Sequence, residues 1–137
     1  MNTYNINDAS FINTNAYKEF MASNPSKGNL RIRAYAASGA IPISNLKVVV
    51  RTKINNDIII FFEGSTNESG IIDRISLPAP KLNTDNMDAP EATTYEVVAT
   101  YLPNDSTGVY RVNIYENVCV VQTISIVPEM RIAGSDV

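Results

Sequence analysis

The 137-residue chain is 45% hydrophobic and 18% charged, with a net charge of −3, one cysteine and no histidine. This size and balance fit one globular domain able to bury a core without metal or disulfide staples. The missing histidine excludes Ser-His-Asp and Cys-His catalysis and histidine-based zinc sites, and the single Cys119 excludes an intrachain disulfide.

The opening stretch, MNTYNINDASFINTNAYKEF, lacks the basic end and apolar run of a secretory signal. Behind the candidate caps Asn13 and Thr14, NAYKEFMASNP sets Tyr17, Phe20 and Met21 on one face, and Pro25 stops the pattern. That spacing predicts a short helix, which needs something to pack on.

From residue 29 the period becomes two. NLRIRAYAA alternates Leu30, Ile32, Ala34 and Ala36 against Arg31, Arg33 and Tyr35, the pattern of a strand with one wet face. IPISN reads as a turn or short crossing. LKVVVRTK then places Leu46, Val48 and Val50 on one side, with Lys47, Arg51 and Lys53 on the other. After the turn INND comes IIIFFEG, where alternation points Ile58, Ile60 and Phe62 to the core and leaves Ile59 and Phe61 outside. Each of those two would forfeit about 1.5–3 kcal/mol in water. Either the helical segment at Tyr17, Phe20 and Met21 covers them, or they form a docking patch for another subunit.

STNESG reads as a turn in which Gly70 supplies a positive φ, opening the strand IIDRISL, whose buried face stays open because Asp73 shares a side with Ile71 and Ile75. Pro78 and Pro80 end that strand and launch a long polar loop over residues 81–94. TYEVVATYL and VYRVNIYEN form a hairpin through PNDSTG, and VCVVQTISIV closes the series. About seven short strands separated by turn signals predict an all-β, two-sheet, Ig-like sandwich. An N-terminal arm with the short helix occupies 1–27, the sandwich 28–128 and a tail 129–137.

The stretches GNLRIRAYAASGAIPISNLKVVV, STNESGIIDRISLPAP, YEVVATY and YRVNIYENVCVVQTISIVP resemble the transthyretin-like, or carboxypeptidase-regulatory-like, β-sandwich. More narrowly, they are similar to the small domain near the N-terminus of clostridial spore cortex-lytic enzymes and related peptidoglycan-associated or phage proteins. The resemblance implies the fold over residues 28–128. It does not bring the lytic activity, because the catalytic domain that would follow the module is absent from this sequence.

Candidate chemistry is sparse. Ser69 beside Glu68 lacks a base within reach, and the turn explains every residue around it. Glu63, Glu68, Asp73, Glu96 and Glu116 fall on strand ends or solvent faces, with no cleft implied for a carboxylate pair. Asp85, Asn86, Asp88 and Glu91 offer oxygen ligands without the glycine-turned spacing of a calcium loop. Arg31 and Arg33 stand where a lysine would be wanted for the lysine-to-asparagine amide bond of some related adhesins, and arginine cannot replace it as nucleophile. Cys119 reads as a small buried hydrophobe. No cofactor or metal is expected.

Charge is uneven. Residues 20–56 hold six cations and no acid, whereas 57–137 carry −8. Basic strands pairing with acidic ones account for this, as does a bipolar surface that lets like subunits or a partner dock. Nucleic acid is not an expected partner of so acidic a chain, and no apolar run reaches the roughly 18 residues of a membrane span. The sequence reading is therefore a non-enzymatic structural or attachment subunit of a larger particle, of the virion-surface decoration or adhesion type. It would be made in the cytosol without a signal peptide and placed in a virion, spore or cell-surface assembly, binding protein partners, itself among them. Its interaction surface would draw on Tyr17, Phe20, Met21, Ile59, Phe61, Arg31, Arg33 and Arg51. The alternative is an accessory module that binds peptidoglycan or carbohydrate through Tyr35, Tyr101 and Tyr115 and assists a lytic enzyme.

Overall fold

The computed structural model describes residues 1–82, 90–127 and 132–133. A short strand β1 (Thr3–Asn5) and two helices, α1 (Ala9–Ile12) and α2 (Asn15–Ser23), precede the sandwich. Seven strands of eight or more residues follow: β2 (Ser26–Ala36), β4 (Lys47–Ile54), β5 (Asp57–Ser65), β6 (Ile71–Ala79), β7 (Thr93–Tyr101), β8 (Ser106–Ile114) and β9 (Cys119–Ile126). Two-residue strands β3 (Ile41–Pro42) and β10 (Ile132–Ala133) complete the set.

One sheet has the order β1-β5-β4-β7-β8. The other runs β10-β9-β2, with β6 and the short β3 both pairing with β2. Antiparallel pairing dominates, but β2 and β9 run parallel from Asn29↔Cys119 to Ala36↔Ile126. The core lies between the sheets, built from Leu30, Ile32 and Ala34, Val48 and Val50, Ile75 and Leu77, Tyr95 and Val97, Val112 and Ile114, and Ile124 and Ile126. Period-two alternation is what delivers these side chains to one face of each strand.

Strand β5 departs from simple alternation. Val50 pairs with Phe62 while Arg51 pairs with Ile60, so Phe61 is an extra residue. Such a bulge reverses the facing of everything before it. Ile59 is completely buried, opposite Thr52 on the inner side, and Ile60 lies outward beside Arg51. The expectation that Ile58, Ile60 and Phe62 form the inward set therefore holds only for Phe62, which packs on the core.

The N-terminal segment covers this end of the sandwich. β1 pairs parallel to β5, from Thr3↔Ile58 to Asn5↔Ile60. Phe11 of α1, 2% exposed, packs with Ile54 and Ile59. Thr14 caps α2 by accepting from the Tyr17 N–H at 3.2 Å. A chain of rings then runs inward, with Phe20 5.6 Å from Phe61 and Phe61 edge-on to Tyr95 at 5.2 Å. Ile59 is thus covered by the chain itself, and the half-buried Phe61 packs between Phe20 and Tyr95.

The STNESG turn is built as its residues dictate. Gly70 takes φ 75°, and a Cβ there would lie 2.5 Å from the Ala34 carbonyl oxygen. The Asn67 side chain accepts from the Ser69 and Ile71 N–H groups. A register shift between Leu30 and Ile32 in the pairing of β6 with β2 settles the face left open by Asp73, turning Ile75, Leu77 and Ala79 inward. Cys119 is exposed rather than buried, because it sits at the first position of β9 on the outer side, opposite Asn29.

Candidate functional site

Strands β7 and β8 pair from Thr93↔Ile114 to Tyr101↔Ser106, which puts the start of β7 and the end of β8 at the helix-covered pole. The chain leaving β8 turns through residues 115–118, with Asn117 at φ 58°. That turn is fastened to the start of β2: the Asn117 N–H donates to the Lys27 carbonyl at 2.9 Å, and the Asn29 N–H to the Val118 carbonyl at 2.9 Å. Contact this close requires glycine between them. A Cβ on Gly28 would stand 2.2 Å from the Tyr115 carbonyl oxygen and 2.7 Å from Ile114 Cγ2.

The docked turn delivers Glu116 to Ser26. The Ser26 hydroxyl donates to Glu116 Oε2, and the Leu82 N–H donates to Oε1 at 3.1 Å. These two bonds, with help from the positive charge of Lys81, hold the carboxyl below its ordinary range, against a smaller opposing effect of burial. Glu116 also lines a cleft of about 310 Å³ whose other walls, among the described residues, are Leu82, Pro90, Tyr115 and Val118. A larger hollow of about 550 Å³ lies at the opposite pole, between Pro42–Asn45 and Tyr101–Pro103, and among the described residues no carboxylate, lysine or arginine lines it. Among the described residues, the smaller cleft of these two is the one lined by a carboxylate, and a further hollow of about 230 Å³ is lined by Glu19 and Lys53.

The residues singled out in the sequence are dispersed. Tyr17, Phe20, Ile59 and Phe61 pack together in the apolar N-terminal cover, with Met21 half-buried on the same helix as Tyr17 and Phe20. Arg31 and Arg33 lie on the outer face of the β9-β2-β6 sheet. Arg31 Nε is 3.6 Å from Asp73 Oδ1, and the Arg33 guanidinium lies 5.0 Å over the Tyr35 ring, its Nε donating to the Tyr35 hydroxyl at 2.7 Å. Arg51 is on the other sheet and donates to Glu96 at 3.1 Å. The three arginines do not converge. Of the alternative's tyrosines, Tyr115 lines the cleft and Tyr101 the larger hollow.

Among the described residues, no three acidic or cysteine side chains gather to hold a metal ion. Asp85, Asn86 and Asp88 lie outside the described residues. The sequence reading missed Glu116 as a cleft residue and missed Ser26 altogether. The signals were Gly28 and the turn-forming Asn117, which mark the contact that joins them.

No known protein family and no curated protein matches the chain. Solved structures do. The 5-hydroxyisourate hydrolase of Klebsiella pneumoniae matches with a TM-score of 0.53 at 17% identity, over 74% of this chain and 90% of that one. The fold is transthyretin-like. (S)-allantoin synthase matches at 13% identity and a TM-score of 0.49, over 77% of this chain and 42% of that longer one.

The likeness supports the transthyretin-like sandwich, and it lends nothing to the narrower resemblance to cortex-lytic or phage proteins. It also corrects the functional expectation. The non-catalytic, virion-surface reading drew on the uneven charge, the N-terminal segment, the expected lack of a signal peptide and the expectation that catalysis would need an appended domain. A transthyretin-like sandwich matched over 90% of its length is itself a hydrolase, so that argument fails, and with it the conclusion that the protein is not an enzyme.

Proposed function

We propose that this transthyretin-like protein is a hydrolase of a small polar molecule, with Glu116 as its general base. The observation that carries the reading is the Glu116 carboxylate, held ionised by the Ser26 hydroxyl and the Leu82 N–H at the wall of a cleft. The enzyme fold of the matched hydrolase supports it. With no histidine in the chain, a carboxylate is the remaining base of suitable strength near neutral pH.

In this reading a water in the cleft gives a proton to Glu116 as its oxygen bonds to the substrate's acyl carbon. The bond from that carbon to the leaving nitrogen or oxygen breaks, and the proton passes from Glu116 to the leaving atom. Glu116 ends ionised, as it began. Ser26 and Leu82 are positioning groups that fix the carboxylate plane. The lowered proton affinity of Glu116 keeps it ready at neutral and mildly acidic pH but makes it a weak base, which limits its contribution to the low end of about 10²–10⁴-fold.

The test is turnover of a panel of small cyclic amides and esters by the purified chain. 5-Hydroxyisourate is the first to try, because the matched hydrolase is named for it. Hydrolysis of one member, lost in Glu116→Gln, supports the reading. Turnover of none, or turnover that Glu116→Gln retains, overturns it.

A further inference from the structure

We propose that the hollow between α2 and the end of β4 is a binding site for a small zwitterion, an α-amino acid with an apolar side chain. The site shares no lining residue with the Glu116 cleft and stands whether or not the chain is a hydrolase.

The hollow, of about 230 Å³, forms where a helix face meets a hairpin. Ala16, Glu19, Phe20 and Ser23 recur at the i, i+3, i+4 and i+7 positions that bring helical side chains onto one face. Lys53, Ile54 and Asn55 supply the opposite side, where Asn55 takes φ 55° to turn β4 into β5. All of these residues lie within the continuously described stretch 1–82. Ile54 is buried, Ala16 and Phe20 are half-buried, and Glu19, Ser23, Lys53 and Asn55 are exposed, so an apolar floor carries a polar rim.

The rim holds one charge of each sign, and both are uncommitted. Among the described residues, neither the Glu19 carboxylate nor the Lys53 ammonium has an ion-pair or hydrogen-bond partner, although they line the same hollow. Two neighbouring charges on the hairpin are engaged: Arg51 pairs with Glu96 at 3.1 Å, and the Asp57 carboxylate accepts from the Asn2 N–H at 3.0 Å. A simple cation would gain Glu19 but meet Lys53, and a simple anion would gain Lys53 but meet Glu19. An α-amino acid carries both charges about one carbon, its ammonium donating to Glu19 and its carboxylate accepting from Lys53. Its side chain then lies against Phe20 and Ile54 and leaves water. A hollow smaller than the clefts of drug-sized ligands, of about 300–1,000 Å³, limits the ligand to this scale.

L-leucine, isocaproate and isoamylamine share a branched carbon body and differ in charge, the acid lacking the ammonium and the amine lacking the carboxylate. Titrating each into the full chain and following backbone amide NMR signals tests the proposal. L-leucine should shift Glu19, Phe20, Ser23 and Lys53, and each single-charge analogue should bind at least about tenfold more weakly. Lys53→Glu, at an exposed position, should weaken L-leucine at least about tenfold and make isoamylamine the preferred ligand, in a chain whose other signals are unmoved. The proposal is overturned if L-leucine shifts no signals or shifts them elsewhere, if either analogue binds as well as L-leucine, or if Lys53→Glu leaves the order of preference unchanged. None of these readouts depends on turnover, so hydrolysis or its absence bears on the Glu116 assignment alone.

Discussion

Ser26 and Glu116 are 90 positions apart in the chain and share a hydrogen bond, the serine hydroxyl donating to the carboxylate. The contact exists because β2 begins where β8 ends, and because the turn at 115–118 lies directly on Gly28. Folding, rather than sequence proximity, assembles this pair, and each part of the assembly has a measurable consequence.

Gly28→Ala should destabilise the protein by about 1–3 kcal/mol, since its methyl group would collide with the backbone of Tyr115 rather than with a yielding side chain. Urea denaturation checks the magnitude. The same variant should lose activity by moving Glu116 away from Ser26, and full stability in Gly28→Ala would show that the turn does not press on β2.

The Glu116 carboxyl is held below its ordinary value in the folded protein, chiefly by the Ser26 hydroxyl. A depressed folded-state value contributes stability above the unfolded value, and that contribution disappears as pH falls through the folded one. Thermal melts of wild type and Glu116→Gln should therefore differ by a constant amount at neutral pH. The difference should shrink only below about pH 4.5, the reference for a free carboxyl. A gap that closes between pH 8 and 6 would contradict this origin.

The N-terminal cover should be part of the fold's stability. Phe11→Ala, removing a ring 2% exposed, should cost about 3–5 kcal/mol, and Ile59→Ala about 2–5 kcal/mol. The two side chains pack in one cluster, so the double variant should lose less than the sum. Strict additivity in denaturant melts would mean that helix and strand do not share this contact.

Thr66 is buried, and its hydroxyl donates to the Ile43 carbonyl at 2.7 Å while accepting from the Leu46 N–H at 3.0 Å. Thr66→Val keeps the volume and strands both backbone groups, at about 1–3 kcal/mol for each group left unsatisfied. Thr66→Ser should recover most of the loss in the same melt.

Much of the fold was legible because it rests on period-two patterning. Leu30, Ile32 and Ala34, and Val48 and Val50, are buried as their alternation requires. The facing of β5 was not legible, because a single extra residue at Phe61 inverts the alternation, and nothing local marks a bulge between Ile60 and Phe62. Cys119 failed for a related reason: its neighbours are apolar, but parallel pairing with β2 sets it opposite Asn29 on the outer face. The candidate site was the least legible. A carboxylate's neighbours in space depend on which strand ends meet, and only Gly28 and Asn117 hinted at that meeting. The functional reading erred on a different ground: one of its motives was that catalysis would need an appended domain, whereas the matched hydrolase is a sandwich of this kind over 90% of its length.

The most direct measurement is the hydrolysis rate of Glu116→Gln against wild type and Ser26→Ala, on whichever substrate the wild-type chain turns over, with folding of each confirmed by circular dichroism. The account expects Glu116→Gln to fall about 10²-fold or more. Ser26→Ala should fall by less, because the Leu82 N–H still holds the carboxylate. A folded Glu116→Gln protein that retains the wild-type rate would contradict the assignment of Glu116 as the base.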